Sequence, residues 1–326
     1  MAVPDTLSNR LTLPAIAAPM TSVSGPDLVI AACRNGVIGA FPTHNAATTR
    51  QLDAWLRDIT AALNPDGTAR IAPVAPNLVV HRTNDRLRED LDCLVRHGVE
   101  LVITSVGSPQ PVIAPLHAIG CRVFADVSSM AHVRRALDAG VDGLVLLTAG
   151  AGGQTGWANP FAFVRAVRPH FDGPIVLAGG VSDGASMLAA QVLGADLVYL
   201  GTRFIATTES SAGDDYRAAL VESTLDDVRL STRVGGIPAS LLTAWLALDD
   251  ESPPAIAAEG FQQDRLLRNR TAWSAGHSVA GVDAITSVDE LVRTLTTQYE
   301  LARNALAGFG RRPAADLISA DANHGL

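Results

Sequence analysis

The stretch 173–206, which opens GPIVLAGGVSDG and closes LGTRFIA, constrains the fold of this chain more than any other segment. PIVLA and DLVYL are short continuous apolar runs, the pattern of parallel strands buried on both faces, and the amphipathic stretch between them has helical spacing. Strand, glycine turn, helix, strand and glycine turn follow one another. Each strand therefore ends where backbone amides lack ladder partners. Gly179-Gly180 lets the chain approach a ligand closely, Ser182 or Asp183 caps the following helix, and Gly201-Thr202 repeats the arrangement one strand later. Two adjacent anion cradles are predicted. In (β/α)8 barrels the loops after strands 7 and 8 commonly hold a ligand phosphate, and this pair lies late enough in the chain to be those loops.

The same alternation runs from residue 14 to about 206. Strands are predicted at 15–20, 37–41, 71–76, 100–106, 121–127, 143–148, 174–179 and 196–201. Helices are predicted near 26–35, 48–63, 84–97, 111–119, 129–139, 160–169 and 184–193. The clearest is 84–97, where Leu87, Leu91, Leu94 and Val95 share a face and Gly98 follows as a stop. Eight similar units without a long break favour closure into an α/β (β/α)8 TIM barrel over an open doubly wound sheet. Residues 207–280 read as an appended helical cap that shapes the substrate pocket. One more amphipathic helix at 285–306 falls within 281–308, which completes the barrel of 1–206, and 309–326 forms a tail.

Composition narrows the function. At 326 residues the chain buries a large core, and 48% hydrophobic with only 5% aromatic residues is an α/β enzyme composition. A net charge of −8 without a basic stripe argues against nucleic acid or an anionic membrane as partner. Cys33, Cys93 and Cys121 have no metal-ligand spacing and read as buried, inert thiols in a reducing compartment. MAVPDTLSNR has neither a basic n-region nor an apolar h-region, so a cytoplasmic location is expected. The chain has no lysine, which excludes a Schiff-base mechanism.

Barrel enzymes place their sites in the loops after the strands. The longest glycine tract, Gly150 to Gly156, follows strand 6 and suits close approach to a flat or anionic ligand. Taken with PAIAAPMTSVSGPDLVIAACRNGVIGAF, LAGGVSDG, LGTRFIAT and WSAGHSV (273–279), this GAGGQTG loop resembles the nitronate monooxygenases, also called 2-nitropropane dioxygenases. Related FMN-dependent enoyl reductases and NADH:quinone reductases share these motifs, which cover nearly the whole chain in order. The resemblance implies FMN across the barrel mouth, its phosphate on the amides of Gly179, Gly180, Gly201 and Thr202. It implies that Pro19, Met20 and Thr21 pack on the ring, that Asn77 bonds its polar edge, and that Gly152 and Gly153 lie close to it. Asp126, ending strand 5, orients the ribityl chain or pairs within the barrel.

The chain departs from the family where relatives carry an EAGGH-type segment whose histidine is the base at the substrate carbon. Gln154 stands there, and a neutral amide cannot abstract a proton. His44 in FPTHN and His277 in WSAGHSV are the candidates for any acid-base function, with Gln154 positioning the substrate. The expected activity is oxidation of alkyl nitronates or similar carbanions with O2, so the partners are a small molecule and O2, with a homodimer compatible. An FMN-dependent NAD(P)H:quinone or enoyl reductase is the nearest alternative, although no GxGxxG follows a strand. A flavin-free phosphate-binding barrel synthase is the alternative of another class.

Overall fold

A computed structural model describes residues 3–63, 71–248 and 260–309. Eight parallel strands close into a barrel: β1 (Ala15–Ala17), β2 (Ile38–Pro42), β3 (Val74–Val79), β4 (Leu101–Ser105), β5 (Arg122–Val127), β6 (Gly143–Leu147), then β8 (Ile175–Ala178) and β9 (Leu197–Leu200), which pairs back onto β1. The short strand β7 (Gly153–Gln154) lies outside the barrel in the loop after β6. Inward-facing Ile16, Ile38, Ala40, Ile103, Phe124, Val145 and Val176 fill the barrel. Their strand neighbours, such as Ala15, Ala17, Val102 and Leu144, meet the surrounding helices. Apolar contacts on both faces are why these strands read as unbroken apolar runs.

Helix α1 (Asp5–Ser8) puts Leu7, with Val3, into the barrel-filling cluster. The barrel helices are α2 (Pro26–Arg34), α3 (Thr49–Leu63), α4 (Leu87–Arg96), α5 (Gln110–His117), α6 (Met130–Ala139), α7 (Pro160–Val167) and α8 (Gly184–Leu193). Asp183 is the cap of α8: its carboxylate accepts from the amide of Ser186 at 2.8 Å, and the Ser186 side chain returns to the Asp183 amide. Gly194 ends α8 in the left-handed region at φ 112°.

The cap predicted as helical is mixed. After α9 (Thr202–Ile205) and α10 (Asp214–Glu222) come β10 (Val228–Ser231) and β11 (Ala239–Leu242), then α11 (Thr243–Ala247) and α12 (Gln263–Arg268). Antiparallel β10 and β11 join β7 in a three-stranded sheet, with Ala239 opposite Gln154 and Ser240 opposite Gly153. Four-residue strands, one buried only at its ends and the other throughout, show no period-2 pattern, and glycine and proline around 235–238 mark turns rather than strand ends. Helix α13 (Val288–Phe309) packs against α8 and α2. The expected tail lies, beyond Phe309, outside the described residues. No helix among the described residues is long and apolar enough to cross a membrane.

Candidate active site

Strand ends converge on one cavity at the barrel mouth. Its floor and walls include Pro19, Met20, Thr21, His44, Asn77, Asp126, Gly152, Gly153, Gln154, Gly179, Gly180, Tyr199, Gly201 and Thr202. Of the residues singled out in the sequence, only His277 is absent from this lining. It is exposed on the outer side of the glycine loop, its amide donating to the Gly150 carbonyl at 2.9 Å and its ring against Gly150, so the expectation that it serves the cavity does not hold. Trp157, at 85% exposure, also points away.

The two glycines after β8 have different reasons. A Cβ on Gly179 would lie 2.4 Å from Thr148 Oγ1, whose hydroxyl donates to the Ala178 carbonyl at 2.7 Å, so packing adds to the φ of +126° in requiring glycine there. At Gly180 a Cβ would meet nothing within 4 Å, and the φ of +73° is what demands glycine. The space beside it is the cavity itself. Among the described residues, the amides of Gly180 and Val181 have no acceptor within the protein. Thr202 is buried, and its Oγ1 accepts from the Gly276 amide at 3.0 Å, tying the loop after β9 to the WSAGHSV segment.

The glycine tract after β6 is a packed joint as well as a wall. A Cβ on Gly152 would come 2.8 Å from the Gly276 nitrogen, and one on Gly276 would come 2.5 Å from the Gly150 oxygen. Two backbones touch here, and β11 straps the next residues, so Gln154 is positioned by the sheet rather than by a free loop.

Strand β3 begins three residues later than the sequence suggested, at Val74, because 72–73 bonds to α2 rather than to a barrel strand: the Ala72 amide donates to the Cys33 carbonyl and the Pro73 carbonyl accepts from Cys33 Sγ. Asn77 is therefore within the strand, buried, with Oδ1 accepting from Ser105 Oγ at 3.1 Å. On the opposite side the loop after β1 is pinned by Asn45, which sequence reasoning passed over. Its Nδ2 donates to the Met20 and Ser24 carbonyls, both at 2.9 Å, and its Oδ1 accepts from the Ser22 amide at 2.9 Å, where Ser22 holds φ 62°. Its place after His44 in FPTHNA is the only signal available, and fastening by it needs the fold to be seen.

His44 is buried, with Nε2 at 3.0 Å from Thr21 Oγ1 and Nδ1 without a partner. Burial, then the guanidinium groups of Arg270 and Arg86, push it down to about 4. It is neutral at physiological pH and a weak base. Arg270 was also missed: it donates to the His44 carbonyl and brings a cation to the cavity from the cap. Asp126 is held the other way, pushed up to about 8 by burial alone. Burial therefore favours its protonated form. Tyr199, across the barrel, is raised well above its ordinary range by burial and by the Asp126 charge.

The family model described as nitronate monooxygenase matches residues 6–298. A nitronate monooxygenase from Paraburkholderia phytofirmans is 28% identical, over 86% of this chain and 88% of that protein. A (3aS,4S,5R,7aS)-5-hydroxy-7a-methyl-1-oxo-octahydro-1H-indene-4-carboxyl-CoA dehydrogenase from Rhodococcus jostii is 28% identical over 72% of this chain, which spans 63% of that relative's length. In fold, the chain superposes on FabK from Thermotoga maritima with a TM-score of 0.78 at 22% identity, covering 94% of this chain and 97% of that one. A nitroalkane oxidase from Streptomyces ansochromogenes gives a TM-score of 0.78 at 22% identity, covering 92% and 99%.

Proposed function

For a chain that belongs to the nitronate monooxygenase family and is accordingly an oxidoreductase, we propose FMN-dependent oxidation of alkyl nitronates, or similarly carbanionic substrates, with O2. The observation that carries this reading is a cavity with an anion cradle at one end and no base at the other. FMN fits the residues present. The amides of Gly180 and Val181 face open space and suit a phosphate, and Met20, Ala178 and Ile205 supply apolar wall for a flat ring. Asn77 and the loop of Pro19, Met20 and Thr21 border the same space. Bound FMN supplies the electron acceptor and its own reoxidation by O2.

The chain's residues determine which substrate qualifies. Gln154 offers only hydrogen bonds, His44 is held near 4, and Asp126 near 8 keeps its proton at neutral pH. None of the three removes a carbon-bound proton efficiently at pH 7. A nitronate needs no such step, because it arrives already deprotonated, and the Arg270 guanidinium at the cavity favours its charge. General-base catalysis is typically worth about 10²–10⁴ in rate, so neutral nitroalkanes should react slower than their nitronates by about that factor at pH 7. Anaerobic stopped-flow tests this: oxidised holoenzyme is mixed separately with alkyl nitronate, nitroalkane, NADH and NADPH. Bleaching of the flavin by nitronate alone is expected. Rapid bleaching by NAD(P)H and none by nitronate would replace the assignment with a reductase.

A further inference from the structure

Two buried side-chain oxygens lining the cavity have no hydrogen-bond partner among the described residues: Asp126 Oδ1 and the Tyr199 hydroxyl. Asp126 comes from β5 and Tyr199 from β9, so neither can be relieved by local chain geometry. Leaving a buried polar group unpaired costs about 1–3 kcal/mol, and native folds seldom carry two such costs side by side. Both groups end on the same space. Their partner is supplied from the cavity, by water or by a ligand.

The character of that ligand follows from what the two groups offer. Asp126 shares the cavity lining with Leu147 and Ala178, no ion pair to it exists among the described residues, and burial is the one influence that raises its pKa. Such a wall keeps a carboxyl group neutral, and a neutral carboxyl presents an O–H. Tyr199 presents a second O–H. Two O–H donors lining one cavity, near enough for the Asp126 charge to act on Tyr199, match an oxygen that carries negative charge, the logic of a known oxyanion hole built from a tyrosine and a protonated aspartate. Asp126, with Gln154 and Leu147, also borders a second cavity toward α6.

We propose that Asp126 and Tyr199 form a donor pair that binds one oxygen of a small planar oxyanion, the nitronate of the substrate. This assignment rests on the reading of an anionic substrate held beside FMN. The other titratable or charged side chains facing Asp126 across the two cavities are His44, Arg270 and Tyr216 on one side and His132 and Arg135 on the other. Both histidines are lowered from their ordinary value and Tyr216 is raised, so none of them changes charge near pH 8. A change there reports Asp126.

Nitrate, planar and not oxidisable, is the probe, titrated calorimetrically into the FMN-loaded protein from about pH 6 to 10. Its affinity should be flat up to about pH 8 and then fall tenfold per pH unit, as the donor proton is lost. Asp126→Asn keeps an N–H donor and should bind nitrate with no break at that pH. Asp126→Leu should bind about 10- to 100-fold more weakly, and Tyr199→Phe about tenfold more weakly with the break retained. Visible spectra of the variants check that each retains flavin. A break that persists in Asp126→Asn, pH-independent binding by the wild type, or a pH dependence that falls on FMN retention instead of nitrate overturns the pair. A colourless protein whose nitrate affinity still breaks near pH 8 would reject the FMN reading and leave the donor pair standing.

Discussion

Single residues in this site do work that their type alone does not announce. Gly179 and Gly180 are neighbours with opposite sensitivities. Gly180→Val places a side chain in open cavity at a left-handed φ, and should cost FMN affinity by about 1.5–3 kcal/mol for each phosphate hydrogen bond lost. Fluorescence of released FMN against dilution measures it, and retained affinity in a folded variant would place the phosphate elsewhere. Gly179→Ala drives a Cβ into Thr148 and should instead lower the unfolding temperature. Asp126 carries a stability signature too. Its folded value, near 8, lies above the ordinary 3.8, so below about pH 4 it costs nothing. As pH rises from there the unfolded chain releases the proton while the folded one keeps it, and stability falls until about pH 8. Asp126→Asn removes that slope, so its gain in thermal midpoint over wild type should be larger at pH 8 than at pH 5.

At the scale of elements, the site is built by fastening loops to one another. Thr202 joins the loop after β9 to the 273–279 segment, and that segment packs on the glycine tract after β6, which β11 in turn holds as a strand. Thr202→Val keeps the shape but leaves the buried Gly276 amide without its acceptor, a loss of about 1–3 kcal/mol. Chemical denaturation of the holoenzyme measures the loss. Unchanged stability would mean that the joint rests on backbone packing alone. These fastenings also explain what was readable beforehand. Parallel barrel strands announce themselves as apolar runs because both faces are buried, whereas β10 and β11 are four-residue strands whose pairing with Gly153-Gln154 depends on distant chain meeting there. The helical reading of 207–280 failed on that point.

At the scale of the whole molecule, α13 lies against α8. The Gly184 amide donates to Gln298 Oε1 at 3.2 Å, and a Cβ on Gly184 would come within 2.0 Å of the Tyr299 nitrogen. Gly184→Leu should therefore lift α13 and destabilise by about 1–3 kcal/mol or more, read by thermal unfolding. The sequence by itself determined the barrel, since eight apolar runs at βα spacing have few other ways to bury both faces, and it determined the glycine cradle, since Gly179 and Gly180 sit at a strand end. It also showed a neutral amide, Gln154, in the loop after β6. Only the tertiary structure decided that His277 faces outward, that Arg270 reaches the cavity from the cap, and that Asp126 and Tyr199 share one unsatisfied space. Charge state and convergence depend on which distant side chains exclude water from a group, and that is a property of packing rather than of neighbours along the chain.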